Sequence, residues 1–136
     1  MTHAHAVVWI DHHEAHVIHF SLDDAATAVV RPATPQQHHL HHKRGAMGSG
    51  HDQPDAAYLG KVAAALGDAA EILVCGPSTA KLELFRHLQQ HDRQVADRVL
   101  GVETVNHPSD GELLRYARQY FIAADRKRGT AATLAV

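Results

Sequence analysis

The chain has 136 residues, 45% of them hydrophobic, a formal net charge of −2 and one cysteine. That length fits a single domain with a genuine core, no apolar run approaches the roughly 20 residues of a membrane span, and a lone thiol excludes an internal disulfide framework. The charge excludes a uniformly basic binder of nucleic acid, although the 14 histidines make it conditional, because imidazole titrates near pH ~6.5 and mild acid turns the balance positive.

The opening Met1-Thr2-His3-Ala4-His5 lacks the basic start and long apolar stretch of a secretory signal, so a cytoplasmic protein is the expectation. Residues 6–10 (AVVWI) and 15–20 (AHVIHF) are β-prone runs around the polar break Asp11-His12-His13-Glu14, which predicts a hairpin. Asp23-Asp24 ends it, and residues 27–30 predict a third strand, interrupted by Pro32 and Pro35, with pairing resumed at 37–42. The prolines suit an edge or bulged position.

The hydrophobic period then changes. Asp52-Gln53-Pro54 reads as a helix start with Asp52 as the cap. Tyr58, Leu59, Val62 and Leu66 fall on one helical stripe, and Gly67 stops it. Residues 71–75 (EILVC) have the continuous apolar look of a buried strand, where Cys75 is expected to be an inert buried thiol. Gly76-Pro77-Ser78-Thr79 turns into a second helix, capped by Ser78 or Thr79, with Leu82, Phe85 and Leu88 facing inward. Residues 99–105 predict a fifth strand. Ser109 and Glu112 form a capping box that opens a third helix carrying Leu113, Leu114, Ala117, Tyr120 and Phe121 inward.

The order β-β-β-α-β-α-β-α predicts an α/β domain over 1–125, followed by a flexible basic tail over 126–136 that holds Arg126, Lys127 and Arg128. Hairpins first and right-handed crossovers after give a mixed five-stranded sheet, three antiparallel strands then two parallel. Three flanking helices complete a ribonuclease H-like three-layer fold.

The segment with the most chemistry is residues 38–51, HHLHHKRGAMGSGH. Lys43 and Arg44 favour an anionic partner, and Gly45, Gly48 and Gly50 let backbone N–H groups approach it. The expectation is a cationic recognition loop in which Lys43, Arg44 and His51 contact phosphates or bases, with Lys81 at the neighbouring turn as a further candidate. The alternative is a solvated connection whose charges only keep it soluble. His39 and His41 share one strand face and could take zinc or nickel, perhaps with His51, but no second cluster supplies the four ligands of a structural zinc site. Adventitious capture of metal is the expectation, with no resident cofactor.

Other chemistries meet specific objections. A two-metal nuclease needs converging carboxylates; Asp11 closes the first strand, but the first helix has none over 56–66, the fourth strand ends in Cys75-Gly76, and helix capping accounts for Asp110. His16 and His19 are three apart and face opposite ways in a strand. Gly76-Pro77-Ser78-Thr79-Ala80-Lys81 lacks the Gly-Lys-Ser/Thr ending of a phosphate loop.

Three stretches carry a resemblance to a known family. Val8-Trp9-Ile10-Asp11 with Ala15-His16-Val17-Ile18, then Lys43-Arg44-Gly45-Ala46-Met47-Gly48-Ser49-Gly50-His51, then residues 72–84 (ILVCGPSTAKLEL) together resemble the middle domain of archaeal and eukaryotic class-one peptide release factors and of Pelota. The chain looks closest to compact bacterial relatives of that domain, over residues 6–124. Release factors carry Gly-Gly-Gln in this loop, the glutamine being tied to peptidyl-tRNA hydrolysis; here Gly48-Ser49-Gly50 is followed by His51. The resemblance therefore implies a translation-associated module that binds the ribosome, rRNA or tRNA without an assigned reaction. Two alternatives stay open: a peptidyl-tRNA or RNA hydrolase using His51 as a base or water-positioner, and a histidine-rich metal-binding protein.

Overall fold

The computed structural model describes residues 4–33 and 54–135, with side chains in those ranges as far as residue 127. Five strands are formed: β1 (His5–Ile10), β2 (Ala15–Phe20), β3 (Ala25–Val30), β4 (Glu71–Gly76) and β5 (Val99–Thr104). Four helices accompany them: α1 (Ala56–Leu66), α2 (Ala80–His91), α3 (Arg93–Ala96) and α4 (Asp110–Ala135). The sheet order is β3-β2-β1-β4-β5. β1 pairs antiparallel with β2 and β2 with β3, whereas β1–β4 and β4–β5 are parallel. The mixed α/β sheet expected from the sequence is thus formed, with four helices among the described residues rather than three.

After their first residues, His5 and Glu71, β1 and β4 carry no polar side chain apart from the Trp9 indole N–H and the Cys75 thiol, because both of their faces are covered. Side chains alternate across a strand, so Ala6, Val8, Ile10, Ile72 and Val74 meet Tyr58, Leu59, Val62 and Leu66 of α1 and Leu84 and Leu88 of α2. Val7, Trp9, Leu73 and Cys75 meet Leu113, Ala117 and Phe121 of α4 on the other face. Two apolar layers separated by one sheet make the three-layer architecture.

Several local expectations are corrected. α1 is capped by Asp55, whose carboxylate accepts from the Tyr58 N–H at 3.0 Å; Pro54 precedes this cap, so Asp52 does not hold the role. Thr79 stands at the N-cap of α2 without a side-chain bond. Leu82 is 51% exposed, because the inward stripe of α2 runs through Ala80, Lys81, Leu84 and Leu88. The unexpected α3 forms where Val95 and Ala96 add to the α1/α2 layer, their N–H groups bonding the Asp92 carbonyl at 3.0 and 3.1 Å. α4 continues helical to Ala135, through the stretch where a tail was expected. Gly67 stops α1 as anticipated, at φ 58, in the left-handed region that favours glycine.

Gly76 has a packing reason. A Cβ there would collide with the Ile10 carbonyl oxygen, so only glycine lets the end of β4 lie against the end of β1. Among the described residues no helix is long and apolar enough to cross a membrane.

Candidate functional site

In open α/β sheets ligands meet the carboxyl ends of the parallel strands. Here that edge is formed by Ile10, Gly76 and Thr104, the last residues of β1, β4 and β5. The β1–β2 turn sits on it. Asp11 Oδ1 accepts from the N–H groups of His13 (2.8 Å) and Glu14 (2.9 Å), an aspartate turn that fixes the loop locally. Trp9 closes the adjacent corner: its indole N–H reaches the carbonyls of Asn106 (2.8 Å) and Val105 (3.2 Å) beyond β5, and its ring lies 4.4 Å from that of His107.

A chain of charged groups crosses the same corner. Arg31, just past β3, donates to Glu14 Oε1 at 3.0 Å. Glu14 Oε2 lies 3.0 Å from His16 Nε2, and His16 Nδ1 lies 2.8 Å from Asp110 Oδ1 in the first turn of α4. Burial opposes a charge on His16, but the Glu14 bond and the Asp110 carboxylate outweigh it and raise its pKa. The Glu14 carboxyl is held below its ordinary range chiefly by the His16 bond, with burial opposing and Arg31 adding. With one ring nitrogen on Glu14 and the other on Asp110, His16 ties the β1–β2 turn, β2 and α4 together.

Described residues on both sides of the basic segment in the chain contact this turn or its flanking strand. On the departing side, Val30 pairs with Ala15 and Arg31 holds Glu14. On the returning side, Asp55 caps α1, and Tyr58 of that first turn donates its hydroxyl to the Asp11 carbonyl at 2.9 Å. Burial first, then the carboxylates of Asp11, Glu14 and Asp55, push the Tyr58 pKa up, so the phenol stays protonated as a donor. Arg31 and Tyr58, 27 positions apart in the chain, thus both bond this one turn.

The candidate residues His39, His41, Lys43, Arg44, Gly45, Gly48, Gly50 and His51 lie outside the described residues, as does the expected pairing at 37–42. Lys81, the further candidate at the neighbouring turn, is described: it is buried, and its ammonium donates to the Ser78 carbonyl of that turn at 2.6 Å. Among the described residues no group of three or more His, Cys, Asp or Glu side chains is arranged to hold a metal ion.

His16 and His19 do face opposite ways, His19 bonding the Ala65 carbonyl of α1 at 2.7 Å. The capping box forms as read, with Ser109 N–H on Glu112 Oε1 and Glu112 N–H on Ser109 Oγ. Sequence reasoning missed that Asp110, one residue on, points at His16. It also missed Arg118, whose guanidinium donates to the Ser21 carbonyl at 2.9 and 3.2 Å and holds the β2–β3 turn.

Comparison with known proteins agrees with this architecture. The structure matches Pelota from Archaeoglobus fulgidus with a TM-score of 0.58 at 15% identity, covering 85% of this chain and 30% of that one. Pelota from Thermoplasma acidophilum gives 0.56 at 20% identity, covering 85% and 32%. An archaeal translation termination factor gives 0.54 at 12% identity, covering 77% and 30%. The chain thus spans about a third of the length of these proteins and shares the fold of that part, as the resemblance to their middle domain led us to expect. No family model matches the chain, and no curated protein matches its sequence.

Proposed function

We propose that this chain is a translation-associated module that binds the ribosome or structured RNA through residues 38–51, without peptide-release chemistry. Lys43 and Arg44 supply charge to phosphates, His51 adds a hydrogen-bonding or titrating contact, and Gly45, Gly48 and Gly50 admit the nucleic-acid backbone to main-chain N–H groups. The observation that carries the reading is that Arg31 and Tyr58, which flank the basic segment in the chain, both bond the Asp11–Glu14 turn at the carboxyl edge of the parallel strands. Supporting it are the shared fold with a translation termination factor and with Pelota.

The test is sedimentation of cell lysate through sucrose gradients at low and high salt, with wild type and with Lys43→Ala/Arg44→Ala. Wild type is expected to travel with ribosomes or one subunit at low salt and to be released at high salt. In direct binding the double variant should lose about 1 to 2 units from the slope of log affinity against log salt, because two phosphate contacts are removed. Wild type at the top of the gradient at both salts, or an unchanged slope in the variant, overturns the proposal.

A further inference from the structure

Among the described residues β3 is one of the two outer strands of the sheet, and every one of its residues but Val30 is exposed. An outer strand presents a row of unsatisfied N–H and C=O groups, and proteins ordinarily blunt such a row with lysine, proline, a bulge or a cover. β3 reads Ala-Ala-Thr-Ala-Val-Val, with none of these within it. Its six pairs with β2, from Ala15↔Val30 to Phe20↔Ala25, run without a bulge.

The hydrogen-bonding parity of β3 follows from the turn that starts it. Ser21 N–H bonds the Asp24 carbonyl at 2.9 Å, which makes 21/24 a hydrogen-bonded pair. Bonding sites then alternate along an antiparallel ladder. The backbone groups of Ala26, Ala28 and Val30 therefore point to β2, and those of Ala25, Thr27 and Val29 point outward. Their side chains project to the face opposite α1, where Val29 is 42% exposed and Leu22, in the preceding turn, is 86% exposed.

We infer that β3 is a self-association edge, at which a second copy of this chain pairs antiparallel about a two-fold axis through Thr27. Three features select a second copy and this register. Outward groups on residues 25, 27 and 29 are symmetric about 27, so only this axis pairs all three with one another, through 25↔29, 27↔27 and 29↔25. The same register, continued just beyond the two ends of the strand, sets Asp23 of each copy opposite Arg31 of the other, an attractive cross-strand pair made twice; an axis at residue 26 sets Asp23 against Val29 and Arg31 against Ser21, and one at residue 28 sets them against Ala33 and Ala25, so neither makes an ion pair. The self-pair at the axis is threonine, which hydrogen-bonds its own kind across a ladder. Such an interface is isologous and closed, so it yields dimers and not fibres.

The test is sedimentation equilibrium of the full chain from micromolar to millimolar concentration, with amide exchange read at residues 25, 27 and 29. A reversible dimer is expected, with those amides more protected as concentration rises. Thr27→Pro removes an outward N–H that β2 does not use and should abolish the dimer. Asp23→Arg, in an exposed turn that leaves the strand intact, should weaken it by about tenfold because two attractive pairs become repulsive. Exchanging both charges, Asp23→Arg with Arg31→Asp, should restore it. A monomer at every concentration with slow exchange at these amides means that another part of the same chain covers the edge, and overturns the inference. A monomer with fast exchange, or a dimer indifferent to both Thr27→Pro and Asp23→Arg, overturns it as well.

Discussion

His16 and Asp110 are 94 residues apart in the chain, and His16 Nδ1 lies 2.8 Å from Asp110 Oδ1. The contact ties the first turn of α4 to β2 across the face of the sheet. Through Glu14 and Arg31 it extends to the residue that follows β3. The clamp therefore joins the first turn of α4 to the end of β3.

The clamp makes stability depend on pH in a defined sense. The pKa of His16 is raised above its ordinary 6.5, so its contribution is complete below that value and is lost as pH rises through the higher, folded value. The pKa of Glu14 is lowered from 4.5, so its contribution is present above 4.5 and is lost as pH falls through the lower, folded value. The difference in urea stability between wild type and His16→Gln should thus peak near pH 5 to 6 and shrink toward both pH 3 and pH 9, the peak being about 1 kcal/mol because water reaches Asp110. A difference that is flat from pH 5 to 9 would show that His16 is held neutral.

Gly101 and Tyr120 should prove coupled. A Cβ at residue 101 would collide with the Tyr120 hydroxyl, which bonds Glu103 Oε2 at 3.3 Å. Gly101→Ala is expected to cost about 1–3 kcal/mol by overpacking, and part of that cost should vanish in a Tyr120→Phe background. A double-mutant cycle by chemical denaturation measures the coupling; strict additivity of the two changes would contradict the contact.

Arg118 holds the β2–β3 turn from α4 by its bonds to the Ser21 carbonyl, with its guanidinium carbon 5.8 Å from the Phe20 ring centre. Arg118→Ala should cost about 1–2 kcal/mol. Amide exchange should speed up first at residues 20–26, next to the proposed dimer edge, with Arg118→Lys recovering only part because it lacks the fork.

Cys75 should be silent to thiol reagents in the native state. It is fully buried in β4, and burial with the Glu103 charge pushes its pKa up to about 12 against the pull of Lys81. The thiolate is the nucleophile, so disulfide-reagent labelling at pH 8 should proceed at the rate of unfolding. Fast labelling of folded protein would mean that β4 opens on its own.

The hairpin of β1 and β2 is legible because β-prone runs of five and six residues flank a polar break. The strand-turn-helix unit from Glu71 to His91 is legible because Gly76 breaks a continuous apolar run. Shorter-range detail was less readable. Asp52 and Asp55 are both acceptable caps by residue type, and only the placement of the Tyr58 N–H distinguishes them. Leu82 looks like core in the sequence, yet the helix phase set by Leu84 and Leu88 turns it to solvent. Of the site, the charges and glycines of residues 38–51 were visible as composition. Lys81 was visible too, but its direction toward Ser78 was not.

The sequence alone determined the order of the five strands and three long helices, the burial of β4, and the position of the basic segment between β3 and α1, because hydrophobic period and capping chemistry are local. Only the tertiary structure decided that α3 forms, that both faces of β1 are covered, that Asp110 meets His16, that Arg31 and Tyr58 both bond the β1–β2 turn, and that the backbone groups of Ala25, Thr27 and Val29 face outward. Those relations depend on strand order, register and helix phase, which arise from packing between residues distant in the chain and leave no mark on the local pattern.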